Sequence, residues 1–337
     1  MLEPVMYTGG VYRHDELIEL VEDLGGHVLQ KNVMQLEVVL LILVPADDIT
    51  AVEKKAKELL GTISRAPLIG TEIAVIAPSL AYHHMPHPTC DIAEYLRRNG
   101  AKTNIIGLAR GVGRRAAQMT KSERGLINEH DLALFILGDF LSCIVDVKYQ
   151  LYEDLEIPVI VTGGPECDAV PYAYAYIGGI GRRAKGFHRE SEFTILDSIV
   201  EKISTALDQR REELEKDPLS VSPFRLMDEI TQQIPEVSEN LSPTPITMHL
   251  DGMRIKLPFD EYCERVSNVK LTEGPILSDV AEVRPSYMRE YIILKIKTKS
   301  VAGFALWQRI LSCQNISRFF QAKKTSKILR AYRIDRS

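Results

Sequence analysis

Three histidines and a cysteine crowd one short stretch: His83, His84, His87 and Cys90, within Ala77–Asp91. Imidazole and thiolate are the usual ligands of zinc, iron and iron–sulfur centres. Pro78, Pro86 and Pro88 stiffen the stretch, which lowers the entropy lost when a site forms. Thr89 reads as a helix N-cap, placing Cys90 in a first helical turn, where partial positive charge suits an anionic sulfur. The same residue types would also allow Cys90 as nucleophile with His87 as base, or a zinc-bound water. A cysteine that simply packs in a structural loop is the third reading.

The cysteine count narrows the metal reading. Five cysteines, Cys90, Cys143, Cys167, Cys263 and Cys313, are scattered with no Cys-x-x-Cys pair. A conventional iron–sulfur cluster takes four, usually closely spaced. Cys143 and Cys167 follow strands of the same expected sheet as Cys90, and Cys167 lies in the turn Gly163–Asp168. The sharper expectation is therefore a partial ligand set led by Cys90, with His87, His84, His83 and Cys167 as further candidates. Two other loops repeat glycine and arginine: Arg110, Gly111, Gly113, Arg114 and Arg115, then Gly179, Gly181 and Arg182. Such loops suit an anion or an acidic partner, because glycine lets backbone amides approach and arginine supplies charge. Sharp turns carrying solvated arginines explain them equally well. Neither loop is a dinucleotide fingerprint or a Walker motif.

These residues need a scaffold, and the periodicities supply one. Residues 1–66 read strand, helix, strand, strand, helix, strand. The first helix carries Leu17, Leu20, Val21 and Leu24 on one face and stops at Gly25-Gly26. That order is a ferredoxin-like βαββαβ interaction domain. Residues 67–217 alternate short apolar strands (73–77, 103–108, 132–137, 159–161, 173–177) with helices (91–99, 121–129, 144–155 and about 192–215). This predicts a parallel sheet covered on both faces, a three-layer α/β domain whose active loops gather at the carboxyl ends of the strands. Pro and Ser are frequent from 218 to 245, which reads as a linker with a short helix. A hairpin about Asp251-Gly252 and a strand at 291–296 complete a small α+β domain within 218–303. The fold class is thus α/β, with three units and a tail.

Composition bounds the function. The 337 residues carry a net charge of −5, against a protein that grips nucleic acid through a broad basic surface. No basic-then-apolar leader opens the chain, and the strongest apolar run, Val38–Val44, is far too short for a bilayer. The expected location is the cytoplasm, without membrane contact. Residues 304–337 differ: eight Lys/Arg stand against one Asp, so the remainder carries −12 of the total. This tail reads as a solvated, disordered extension, or as a basic amphipathic arm for an acidic partner or RNA.

The segments YTGGVYRHDELIELVEDLGGHVLQKNVMQLEV (7–38) and HHMPHPTCDIAEYLRRNGAKTNIIGLARG (83–111) resemble the methanogenesis marker protein 7 family of methanogenic archaea, over about residues 1–303. Residues 71–185 also resemble the methyl-coenzyme M reductase operon protein C family. That likeness rests on the His loop, Pro88, Cys90, Asp91, the Leu96-Arg97-Arg98 helix end, Ile127–Ala133 and Ile157–Val161. The chain lacks that second family's Cys-x-Cys-Gly start, so ligands contributed there are not carried over. The resemblance implies a non-catalytic subunit of the ATP-dependent complex that activates methyl-coenzyme M reductase. Its expected partners are that reductase, operon protein C, other methanogenesis marker proteins and an ATPase subunit. Its implied cofactor is an iron–sulfur cluster shared between subunits, with zinc as the alternative, and Cys90 is the position carried over as a ligand.

Overall fold

The computed structural model describes residues 2–33, 36–78, 87–108, 118–180, 189–242, 244–272 and 274–302. Three sheets organise them. The first unit runs β1 (Leu2–Gly10), α1 (Asp15–Asp23), β2 (His27–Val33), β3 (Glu37–Pro45), α2 (Ile49–Glu58) and β4 (Thr62–Arg65). Its strand order is β2-β3-β1-β4 with every pair antiparallel, as a split βαβ unit requires. The unbroken apolar run of β3 has a plain cause. Val38, Leu40, Ile42 and Val44 pack under α1 and α2, while Leu41 on the opposite face packs against Ala66 and Ile69. Both faces are buried, so no polar alternation is left.

Tyr7 is wedged, fully buried, between two glycines of this sheet. A Cβ at Gly61 would lie 2.2 Å from the Tyr7 ring, and one at Gly9 would lie 2.1 Å from its hydroxyl. Gly61→Ala is therefore expected to cost about 1–3 kcal/mol, the usual price of overpacking. Thermal unfolding of the two proteins checks it; an unchanged midpoint would mean that β4 shifts freely away from β1.

The second unit runs β5 (Glu72–Ala77), α3 (His87–Arg98), β6 (Lys102–Gly107), α4 (Lys121–Asn128), β7 (Leu132–Ile136), α5 (Leu141–Asp146), β8 (Val159–Thr162), β9 (Ala175–Ile177) and α6 (Arg189–Lys216). The five strands are parallel in the order β6-β5-β7-β8-β9. Alternate residues serve opposite layers. Ile73, Val75, Leu132, Leu134 and Ile160 meet α3 and α6, whereas Ala74, Ile76, Ala133, Phe135 and Val161 meet α4 and α5. The expected single helix over 144–155 is corrected here. It is α5 followed by a short 3₁₀ turn, Lys148–Leu151, with Val147 in a non-helical conformation between them. The break swings Tyr152 inward, where its buried ring meets Phe135 at 5.1 Å between centroids.

The third unit holds α7 (Pro223–Gln233), α8 (Glu236–Glu239), β10 (Ile246–His249), β11 (Gly252–Pro258), α9 (Phe259–Ser267), α10 (Leu277–Val280), β12 (Ala281–Pro285) and β13 (Tyr291–Ile296). The antiparallel order is β10-β11-β13-β12. The stretch read as a linker is built into this unit: Leu226, Ile230, Ile234 and Val237 belong to its core. The hairpin turn is Leu250-Asp251, with Gly252 already paired to His249. Among the described residues no helix is long and apolar enough to cross a membrane. The basic tail, 304–337, lies outside the described residues.

Candidate functional site

In a parallel sheet of this order the chain leaves β5 toward one side and returns on the other, so the strand order reverses between β5 and β7, and sheets of this kind bind ligands outside the carboxyl ends at such a reversal. The helix that follows β5 is α3, and its first residue is His87. The helix thus begins two residues earlier than the expected N-cap at Thr89. Thr89 lies inside the first turn, fully buried, its hydroxyl without a hydrogen-bond partner. Cys90 remains in that first turn and is exposed. Its thiol makes no hydrogen bond among the described residues and faces the end of the helix that favours negative charge.

The neighbouring carboxyl-end loops are laced together through their backbones. Gly164 N–H donates to Gly138 O at 3.3 Å, Gly179 N–H to Gly164 O at 3.2 Å and Ile180 N–H to Gly163 O at 2.9 Å. A Cβ at Gly164 would sit 2.2 Å from the Asp139 carboxylate, which would have to move aside, and Gly179 adopts φ +78°. Cys167 is half-buried; its thiol donates to Ala169 O at 3.0 Å and its sulfur packs against the α4–α5 face. Tyr176 beside it donates to Pro165 O, and burial, with Cys167 and Glu166 nearby, pushes its hydroxyl up to about 12. His83, His84, Arg110, Gly111, Gly113, Arg114, Arg115, Gly181 and Arg182 lie outside the described residues, as does the His87 side chain. Among the described residues no three His, Cys, Asp or Glu side chains assemble into a metal site.

Comparison with known proteins adds what geometry alone does not. The profile of the family described as methyl-coenzyme M reductase operon protein C matches residues 2–269. The chain belongs to that family. The match reaches well beyond the 71–185 stretch that carried the likeness in sequence, taking in the βαββαβ unit and part of the third sheet. An uncharacterized protein of Methanocaldococcus jannaschii is 47% identical over 306 residues, which is 91% of this chain and 97% of that relative. The association with the methyl-coenzyme M reductase operon and the methanogenesis family expected from the sequence is thereby supported.

This family member also carries a charged centre that the sequence reading passed over, at the amino ends of the same strands. Arg254 of β11, fully buried, donates from Nη1 to Glu72 and from Nη2 to Glu129 at 3.1 Å. His249 Nε2 donates to Glu72 Oε2 at 2.7 Å, and Asn104 Nδ2 to Glu72 Oε1 at 2.6 Å. Ser286 and the Tyr287 N–H donate to Glu129 at 2.6 and 2.7 Å. Asp131 accepts from Glu72 N–H and Leu250 N–H. Burial works against the Glu72 carboxylate, but His249, His130 and Arg254 outweigh it and hold its pKa below the usual range. Burial pushes Asp131 up and brings His130 down to about 4. The legible signal was Glu129-His130-Asp131, three polar residues abutting an apolar strand.

Proposed function

We propose that this chain acts, without turnover of its own, in the ATP-dependent activation of methyl-coenzyme M reductase, supplying Cys90 as one ligand of an iron–sulfur cluster completed by partner subunits. The observation that carries the reading is the position of Cys90: a thiol that is exposed and without a hydrogen bond among the described residues, in the first turn of the helix after β5. One accessible thiol fits partial ligation, and the scattered sequence cysteines argue in the same direction. When bound, such a cluster supplies one-electron transfer, here toward the nickel tetrapyrrole of the reductase. The chain's own part is to hold Cys90 on a rigid helix and to offer docking surface to the reductase, the other marker proteins and an ATPase subunit that hydrolyses ATP. The assembly works in the cytoplasm.

The test is anaerobic iron, acid-labile sulfide and zinc analysis with electron paramagnetic resonance, on the native assembly and on the chain alone. Iron in the assembly and little in the isolated chain is the expected pattern. Cys90→Ala should lower iron and sulfide in the assembly, while Cys263→Ala on α9 should not. Full iron in the Cys90→Ala assembly would remove Cys90 from the ligand set. Stoichiometric zinc in the isolated chain would instead favour a zinc site.

A further inference from the structure

Each of the three sheets ends in two edge strands, and a row of unpaired N–H and C=O groups at an edge invites another strand unless something guards it. Among the described residues every edge but one carries a guard. β2 is bulged between Val28 and Gln30 and holds Lys31. β4 has four residues and ends on Arg65. β9 has three residues. β12 holds Glu282, Arg284 and Pro285. β10 is buried at all four positions. β6 differs from all of these. It has six residues, pairs with β5 without a bulge and holds no proline. Its one charge is Lys102, at its first position, and 103–107 are uncharged.

Parity along β6 decides what the edge offers. Lys102 N–H donates to Thr71 O at 2.9 Å and Leu108 N–H to Ala77 O at 3.0 Å, so the even positions face β5. The backbone N–H and C=O of Thr103, Ile105 and Gly107 therefore point away from the sheet, and no described residue takes them up. Ile105, in the middle of that row, is 40% exposed, so the edge is open there. We propose that β6 pairs antiparallel with β6 of a second copy of this chain, about a twofold axis at Ile105, joining the two parallel sheets into one. Only this register uses all three outward residues. Ile105 meets its own equivalent and Thr103 meets the equivalent of Gly107, each pair exchanging its N–H and C=O groups. Glycine opposite threonine leaves the threonine side chain uncrowded. Lys102 falls opposite the equivalent of Leu108, so no like charges meet across the axis. The chain's own tail, eight Lys/Arg against one Asp, is the poorer occupant, because β6 holds no acidic residue to attract it.

The test uses the full chain. An edge pairing buries little surface, so the dimer should dissociate on dilution. Sedimentation equilibrium over a concentration series up to about 1 mM should show a reversible monomer–dimer step. Ile105→Lys sets two ammonium groups opposite each other and should raise the dissociation constant by about tenfold or more, and Ile105→Glu should do the same with two carboxylates. An equimolar mixture of the two variants should dimerise again, since each lysine then faces a glutamate, and that recovery also shows that both fold. Hydrogen exchange of the wild type carries the test without any substitution: the amides of Ile105 and Gly107 should gain protection as concentration rises. A wild type that stays monomeric overturns the proposal, and if Ile105→Lys then also drops out of the native assembly, the edge belongs to a strand of another subunit. A dimer that both charged variants leave unchanged, or that forms without protecting Ile105 and Gly107, lies on another face and overturns it too.

Discussion

Arg254→Met is expected to destabilise the protein by about 3–5 kcal/mol, the range for removing one partner of a buried ion pair. Methionine keeps much of the packing of the arginine stem, so the loss isolates the guanidinium. That group lies between two carboxylates, Glu72 and Glu129, each at most 3% exposed in the side chain. Without it Glu72 keeps His249 and Asn104, and Glu129 keeps Ser286 and the Tyr287 amide. Hydrogen bonds from these remaining donors do not replace the guanidinium charge held between two desolvated carboxylates. Urea unfolding at neutral pH measures the loss. The triple variant Glu72→Gln, Glu129→Gln, Arg254→Met should recover much of it, because uncharged replacements of a buried set are often close to neutral. A loss below about 1 kcal/mol in the single variant would mean that water reaches the carboxylates when the guanidinium leaves.

The elements were legible where one physical rule governed them. Leu17, Val21 and the glycines after α1 fix that helix by period and stop, and in β13 Ile292, Leu294 and Ile296 mark the core face by a period of two, although Ile293 on the other face is buried as well. The parallel sheet was legible from short β-branched runs, since strands buried on both faces have no polar residues to confuse the pattern. The errors fell where tertiary contacts decide. The helix expected at 144–155 is interrupted because Tyr152 gains more by packing on Phe135 than by staying on a helix surface. The frequent Pro and Ser of 218–245 read as a linker with a short helix, but Pro223 starts α7 at its first turn and Leu226, Ile230, Ile234 and Val237 carry the stretch into the core.

The candidate site was legible by residue type but not by arrangement. Cys90 could be placed near a helix start because threonine and proline precede it, and the structure keeps it exposed there. The fate of Cys167 was not readable, because its thiol is engaged by Ala169 O, a backbone group two residues away. The buried charges were harder still. Glu72 and Arg254 are 182 positions apart and join two units, and neither has a local pattern that announces its partner. The two ends of the central sheet thus divide the work. The amino ends bind the third unit through buried charge, and among the described residues the carboxyl ends carry Cys90 and the laced loops.

Mild acid should weaken this fold, and His130 should be the main cause. Its ring is fully buried, and both nitrogens are engaged. Nδ1–H donates to Leu126 O at 3.0 Å, so Nε2 is the lone-pair acceptor for Asn104 Nδ2 at 2.9 Å. Only the neutral imidazole can accept there. Burial, with Arg254 and His249 adding to it against the opposing pull of Glu72, brings the pKa from 6.5 to about 4. Between those values the unfolded chain takes up a proton that the native chain refuses, so stability present at neutral pH is lost as pH falls. At about 1.4 kcal/mol per pKa unit the loss approaches roughly 3 kcal/mol near pH 4. Glu72, held low, pulls the same way as pH drops below the ordinary glutamate range, whereas Asp131, raised by burial, partly opposes both. Denaturation midpoints of wild type and His130→Gln between pH 4 and 8 separate these groups. The glutamine can still donate to Leu126 O and accept from Asn104 but cannot titrate, so its profile should flatten between pH 6.5 and 4.5 and keep only the steeper carboxylate limb below. Parallel profiles for the two proteins would assign the acid sensitivity to the carboxylates and take it from His130.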